Sequence, residues 1–142
     1  MPKDYPDHHD ADLVLKLYDI RRETVMRASR LTMNKWMPVT FDDVAEIAKP
    51  DHPSNAAFRQ VMGYWEMAFN MARHGVIHAE FLAEMSGEGL SFYAKVERFV
   101  EDLRKAGSPL AFKNSEWVAA NTDMGKEMMP VYRTRVAKAL AG

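Results

Sequence analysis

Glu66 is the one carboxylate in the middle of FRQVMGYWEMAFNMAR, residues 58–73, and Arg59, Asn70 and Arg73 lie on the same line as it. Together with Gly63 these positions step by four, three, four and three, the repeat of a single helix face. A carboxylate held between guanidinium groups on an otherwise apolar helix could bind a cationic or hydrogen-bonding ligand in a cleft. Arg59, Glu66, Asn70 and Arg73 are therefore the candidate ligand-binding residues. The structural alternative is an ion pair between Glu66 and Arg21, Arg22 or Arg27 that sets the register of two packed helices. That alternative is the expectation carried forward.

Other groups with reactive residue types read less well. His74 and His78 are four apart, a spacing that can chelate a divalent ion with Glu80 or Glu84. Gly75 between them terminates a helix, so the two rings are expected on different helices. No third ligand stands at the spacing of a zinc signature. Asp7, His8, His9, Asp10 and Asp12 have a metal-like composition but follow Pro2 and Pro6 in a solvated tail, with Asp10 expected as a helix cap. A GxSxG elbow, a Walker loop and the Glu-x-x-His of di-iron bundles are all missing, and GEGLSF lacks the third glycine of a dinucleotide loop. No catalytic residue, metal ligand or cofactor is assigned, and an enzyme is the minority reading.

Elements of a helical protein must position these residues. The chain has 142 residues, 47% hydrophobic and 27% charged, which is enough to bury a core within one domain. A formal charge of −1 offers no global attraction to nucleic acid or to an anionic surface. Cysteine is absent, which excludes disulfides and thiol chemistry and fits a reducing cytosol. MPKDYPDHHDAD carries no apolar run after Lys3, so no secretory signal is expected. No stretch approaches the roughly 18 apolar residues of a membrane span, and the expected location is cytoplasmic. The 11 methionines are expected mainly to fill gaps in the core.

Residues 1–10 are expected to be a flexible lead-in and 11–142 a single helical domain. A first helix is expected from Asp10 to about Trp36, with Leu13, Leu17, Ile20, Thr24, Ala28 and Leu31 turned inward. Thr40 caps FDDVAEIA, with Asp42 and Asp43 in its first turn. Ser54 or Asn55 begins the central apolar helix, which Gly75 ends in a left-handed turn. A short helix over 78–85 follows. Past Gly87 and Gly89 a further helix turns Phe92, Val96, Phe99, Val100 and Leu103 inward, and Gly107-Ser108-Pro109 closes it. Asn114 or Ser115 opens a brief helix, and Pro130 suits the first turn of the last one. Period-two alternation appears nowhere. The expected fold is all-α, a single irregular bundle of five to seven helices around the central apolar one.

Residues 40–77 resemble a helix–turn–helix, with a short helix, a turn, and a second helix ending in Arg73, Gly75, Val76 and Ile77. A recognition helix must expose a polar face to base edges, and this one is mostly apolar. A DNA-binding regulator is therefore the alternative, not the expectation. LKLYDIRRETVMRASR, the short acidic helix, and NAAFRQVMGYWEMAFNMARHGVIHAEFLAEM resemble a family of bacterial helical proteins grouped as a domain of unknown function. The matching parts are 15–22, Asn55, Tyr64-Trp65-Glu66 and Gly75-Val76-Ile77, spread over about residues 12–105. That resemblance implies an all-α fold and a bacterial source and transfers no catalytic residue. Some members begin with a membrane helix, from which this chain departs. The function expected is an interaction or scaffold protein without catalytic activity, with a protein partner or a second copy of itself.

Overall fold

The computed structural model describes residues 4–142, so residues 1–3 of the expected lead-in lie outside the described residues. The fold is all-α, with no strand among the described residues. Its helices are α1 (His8–Arg21), α2 (Thr24–Lys35), α3 (Phe41–Ile47), α4 (Asn55–Arg73), α5 (Ala79–Glu84), α6 (Gly87–Val96), α7 (Val100–Lys105), α8 (Lys113–Asn121) and α9 (Asp123–Ala141). A 3-10 turn at Glu97–Phe99 joins α6 to α7. This exceeds the expected five to seven helices because two of the long ones are interrupted.

The first interruption is at Glu23. Its backbone is extended (φ −61°, ψ 142°), and its carboxylate accepts the Val25 and Met26 N–H groups at 3.0 and 2.9 Å. Glu23 is thus the cap of α2, and its charge goes to those amides, not to Arg27. The break lets the chain change its inward stripe, which a straight helix cannot do. α1 buries Val14 and Leu17, whereas α2 buries Met26, Ser29 and Met33. Ile20, Thr24, Ala28 and Leu31, expected inside on a continuous helix, are exposed. The second interruption tightens the expected 92–103 helix into the 3-10 turn at Glu97–Phe99.

α1 begins earlier than expected. Asp7, not Asp10, is the cap, and the two residues form a capping box (Asp10 N–H to Asp7 Oδ1, 3.1 Å; Asp7 N–H to Asp10 Oδ2, 2.9 Å). Asp10 is fully buried, and its Oδ1 accepts the His78 N–H at 2.8 Å, tying the start of α1 to the start of α5. Thr40 caps α3 in a second box with Asp43, as its spacing predicts. Pro130 lies inside α9, not in its first turn. Thr122 caps that helix well before it, with Oγ1 accepting the Gly125 N–H at 2.9 Å. Pro130 itself is exposed, where the backbone acceptor it leaves unpaired can be hydrated.

α4 is the centre. It buries Phe58, Val61, Tyr64, Trp65, Ala68, Phe69 and Ala72, and packs against α2 and α8. Its aromatic rings continue into neighbouring helices: Phe58 meets Trp36 at 5.6 Å between centroids, and Trp65 meets Tyr64 at 4.9 Å and Phe69 at 5.6 Å. Gly89 of α6 lies against Trp65 so closely that a Cβ there would stand 2.5 Å from the indole ring. Gly75 ends α4's connection with φ +73°, the left-handed conformation glycine adopts without strain.

The Tyr64 hydroxyl donates to the Leu17 carbonyl at 2.6 Å, pinning α1 to α4. Burial pushes the Tyr64 phenol up to about 12, against the opposing charge of Arg21, and pushes the Tyr93 phenol up to about 12 as well. In the unfolded chain both phenols ionise near the ordinary 10.0. The folded state therefore holds protons that the unfolded state releases, and stability present below that value is lost as the pH rises through about 12. The urea midpoint, followed by circular dichroism, should fall steeply across this window. Tyr64→Phe should make the fall shallower, and an unchanged slope in that variant would contradict the assignment.

Candidate functional site

The stripe on α4 divides in two. Glu66 does not meet Arg21, Arg22 or Arg27, the partners expected for it; it meets the start of α8. Its Oε1 accepts the Asn114 N–H at 3.1 Å and the Asn114 Nδ2 at 3.3 Å, and its Oε2 accepts the Ser115 N–H at 2.9 Å and the Ser115 hydroxyl. Phe112, the residue at the cap position of α8, has a left-handed backbone (φ 55°) and no capping oxygen. Glu66 supplies that oxygen from another helix, and its negative charge faces the positive end of the α8 dipole. Asn70 and Arg73 complete the junction on Asn114 Oδ1, at 3.4 and 2.8 Å.

Arg59 stays apart. Its Nε donates to Asn55 Oδ1 at 2.8 Å, one turn back, while Asn55 Nδ2 donates to the Ile47 carbonyl at the end of α3. The four candidate residues therefore do not line one cleft. Three brace α8 and one braces α3. Glu80 does the same for α9 as Glu66 does for α8, accepting the Asp123 and Met124 N–H groups at 2.7 and 2.8 Å.

His74 and His78 part company at Gly75. His74 ends α4 beside Arg73. His78 caps α5, with Nδ1 accepting the Phe81 N–H at 3.0 Å and Nε2 3.3 Å from the Asp4 carbonyl. The helix–turn–helix alternative calls for an exposed second helix. The helix it needs in the major groove is α4, which α2 and α8 cover, and the chain after Ile77 enters α5 where a wing would require a hairpin.

The arginines that Glu66 does not use assemble elsewhere. Arg21 and Arg22 end α1, Arg27 and Arg30 belong to α2, and the bend at Glu23 folds both pairs around one recess. With Tyr18 they line a volume of about 340 Å³. Glu88, in the first turn of α6, is the carboxylate of the elbow. It holds Arg30 in a two-point contact (Nε to Oε1 and Nη2 to Oε2, both 2.8 Å) and reaches Arg21 Nη2 at 3.7 Å. Its hydrogen bond raises the Arg30 pKa further above an already high range. Arg30 Nη1 also donates to the Arg21 carbonyl at 3.3 Å, which closes the end of α1.

Aromatic rings orient the rest of the cluster. The Arg21 guanidinium lies 5.4 Å from the Tyr18 ring centroid and 5.2 Å from that of Trp65, and Arg22 lies 5.5 Å from Tyr18. Arg22 and Arg27 form no ion pair among the described residues. The recess thus gathers four guanidinium groups, two of them held by Glu88. Arg21 and Arg30 are fixed by Glu88, and Arg22 and Arg27 are exposed. Such an arrangement binds anions, because the fork geometry of guanidinium matches carboxylate and phosphate oxygens.

Sequence reading missed this site. It offered Arg21, Arg22 and Arg27 only as partners of Glu66 and treated GEGLSF only as a failed glycine motif. The available signal was density, four arginines within residues 21–30 of a chain whose net charge is −1.

The fold and the site define an all-α bundle with a basic recess at the bend between its first two helices. The chain belongs to the family described as a domain of unknown function, DUF4760, whose model matches residues 6–122. Neither a curated protein nor a solved structure matches the chain. The family match extends beyond the 12–105 of the expected resemblance and includes the whole elbow and the start of α8. It stops at Thr122, the cap of α9, although α9 buries Met129, Tyr132 and Val136 against its neighbours.

Proposed function

We propose that this domain is an interaction module that docks an acidic segment of a partner protein on the outer face of the α1–α2 elbow. The observation that carries the reading is the recess itself, with four guanidinium groups of which Glu88 holds two and Arg22 and Arg27 form no ion pair among the described residues. Exposed Leu15, Tyr18, Val25 and Leu31 lie on the same two helices and supply apolar contact area around the charge. A two-fold self-contact through this face would oppose arginines to arginines, so the partner is a different, acidic chain, not a second copy. A chain without cysteine suits a reducing cytoplasm, which is where we place the interaction. No step of this role requires a cofactor.

Fluorescence anisotropy with a labelled polyglutamate peptide tests the reading. Binding is expected at low salt, weakening as the ionic strength approaches about 150 mM, because surface charge attraction is screened. The reversed pair Arg22→Glu with Arg27→Glu should abolish it, while Lys138→Glu on α9 should leave it unchanged. Equal binding by the elbow variant and the native protein would overturn the proposal.

A further inference from the structure

The chemistry of the recess identifies the anion more narrowly. This inference rests on the docking role above. Glu88 holds Arg21 and Arg30, while Arg22 and Arg27 form no ion pair among the described residues, so two guanidinium groups at the recess are left for a ligand. A carboxylate brings one negative charge and two oxygens, which matches only one of those two guanidinium groups. A phosphate monoester brings about −1.5 to −2 at neutral pH and three terminal oxygens, enough to accept from several guanidinium groups at once. The volume of about 340 Å³ holds such a group together with the atoms that carry it.

A second observation lies beneath the recess. Arg21 Nε and Trp65 Nε1 are buried side-chain donors with no hydrogen-bond partner among the described residues. Trp65 is 3% exposed. Both residues line a smaller cavity of about 30 Å³, and that cavity shares Tyr18 and Arg21 with the recess above it. Buried donors without partners are uncommon in folded proteins, and two on residues that border one cavity beside an arginine cluster call for an acceptor. Tyr18 forms a wall common to both spaces and holds Arg21 and Arg22 against its ring. Any anion entering the recess therefore meets guanidinium groups already oriented.

We infer that the elbow recess is a phosphate-monoester site that reads a phosphorylated side chain of the partner. Arg22 and Arg27 are the primary ligands, Arg21 is the inner one, and Glu88 and Tyr18 are positioning residues. On this reading the partner docks when phosphorylated and leaves when the phosphate is removed, with no change in the fold of the domain.

The test titrates phenyl phosphate, phenyl sulfate and benzoate separately into the full chain and follows the arginine Nε–H resonances by NMR at about 150 mM salt. The ligands share a ring and differ in charge and oxygen count. Phenyl phosphate should bind at least about ten-fold tighter than the other two, since charge-assisted contacts to a dianion are the stronger ones. The signals of Arg21, Arg22 and Arg27 should move. Affinity should fall as the pH drops below about 6, where the monoester takes up its second proton. Arg22→Gln with Arg27→Gln should remove at least about ten-fold of the phenyl phosphate affinity, with helicity unchanged.

Equal affinities for the three ligands would overturn the phosphate assignment and leave the acidic-segment reading intact. Loss of polyglutamate binding as well would remove both. A final arm offers vesicles of phosphatidylcholine with and without phosphatidylinositol 4-phosphate. Vesicle binding tighter than that of a phosphoserine peptide would overturn the assignment to a protein-borne phosphate in favour of a lipid headgroup.

Discussion

Trp65→Ala is expected to cost about 3–5 kcal/mol of folding stability, the range for a large aromatic side chain removed from a tight core. Trp65 is 3% exposed and contacts Tyr64 and Phe69 on its own helix. Gly89 of α6 approaches its ring too closely for any side chain, so the indole occupies space that no neighbouring group is positioned to refill. Arg21 stacks over it at 5.2 Å, so the substitution also loosens the inner arginine of the recess. Total stability for a domain of this size is about 5–15 kcal/mol, so the loss is a large fraction of the whole. The melting temperature should drop by roughly 10–20 °C. A near-neutral thermal shift would mean that the core has been misplaced.

Glu66→Ala is the second large effect, and it is local in character. The variant removes the carboxylate that caps α8, leaving the Asn114 and Ser115 amides without their partners. A lost cap costs about 0.5–2 kcal/mol, and hydrogen bonds to a charged acceptor about 1.5–3 kcal/mol each, with sharing between them. A total of about 2–3 kcal/mol is expected by urea unfolding. Amide exchange should quicken first over residues 113–116. Glu80→Ala should cost less, because Thr122 also caps α9 through the Gly125 N–H. If Glu66→Ala behaved like a surface substitution while Glu80→Ala did not, the bracing role of Glu66 would be wrong.

Local features of the chain were legible without coordinates. Thr40 with Asp43, Gly75 after Arg73, and the apolar run from Phe58 each act within about one turn of helix, the range over which side-chain spacing carries information. The stripe on α4 was recognised as a stripe. The interruption at Glu23 was not, because the alternating three- and four-residue steps from Leu13 to Leu31 suit an unbroken helix equally well. Only tertiary packing decides it, and with the bend Met26 and Met33 are buried while Ile20 and Leu31 are exposed. Pro130 was misplaced for a related reason: an exposed proline is tolerated inside a long helix that is held by packing on its other side.

The purpose of Glu66 was the harder question. Its partners lie 48 and 49 residues away in Asn114 and Ser115, and those of Arg30 lie 58 away in Glu88. No periodicity within one helix reports which charge on another helix it will face. The amino-acid sequence by itself therefore determined an all-α chain, most of its helix ends, a buried Trp65 and the absence of thiol chemistry. The tertiary structure alone decided that Glu66 braces α8 while four arginines gather at the α1–α2 bend. Spacing sets the faces of each helix, whereas the meeting of those faces depends on packing that minimises exposed apolar area and unpaired buried charge over the whole fold.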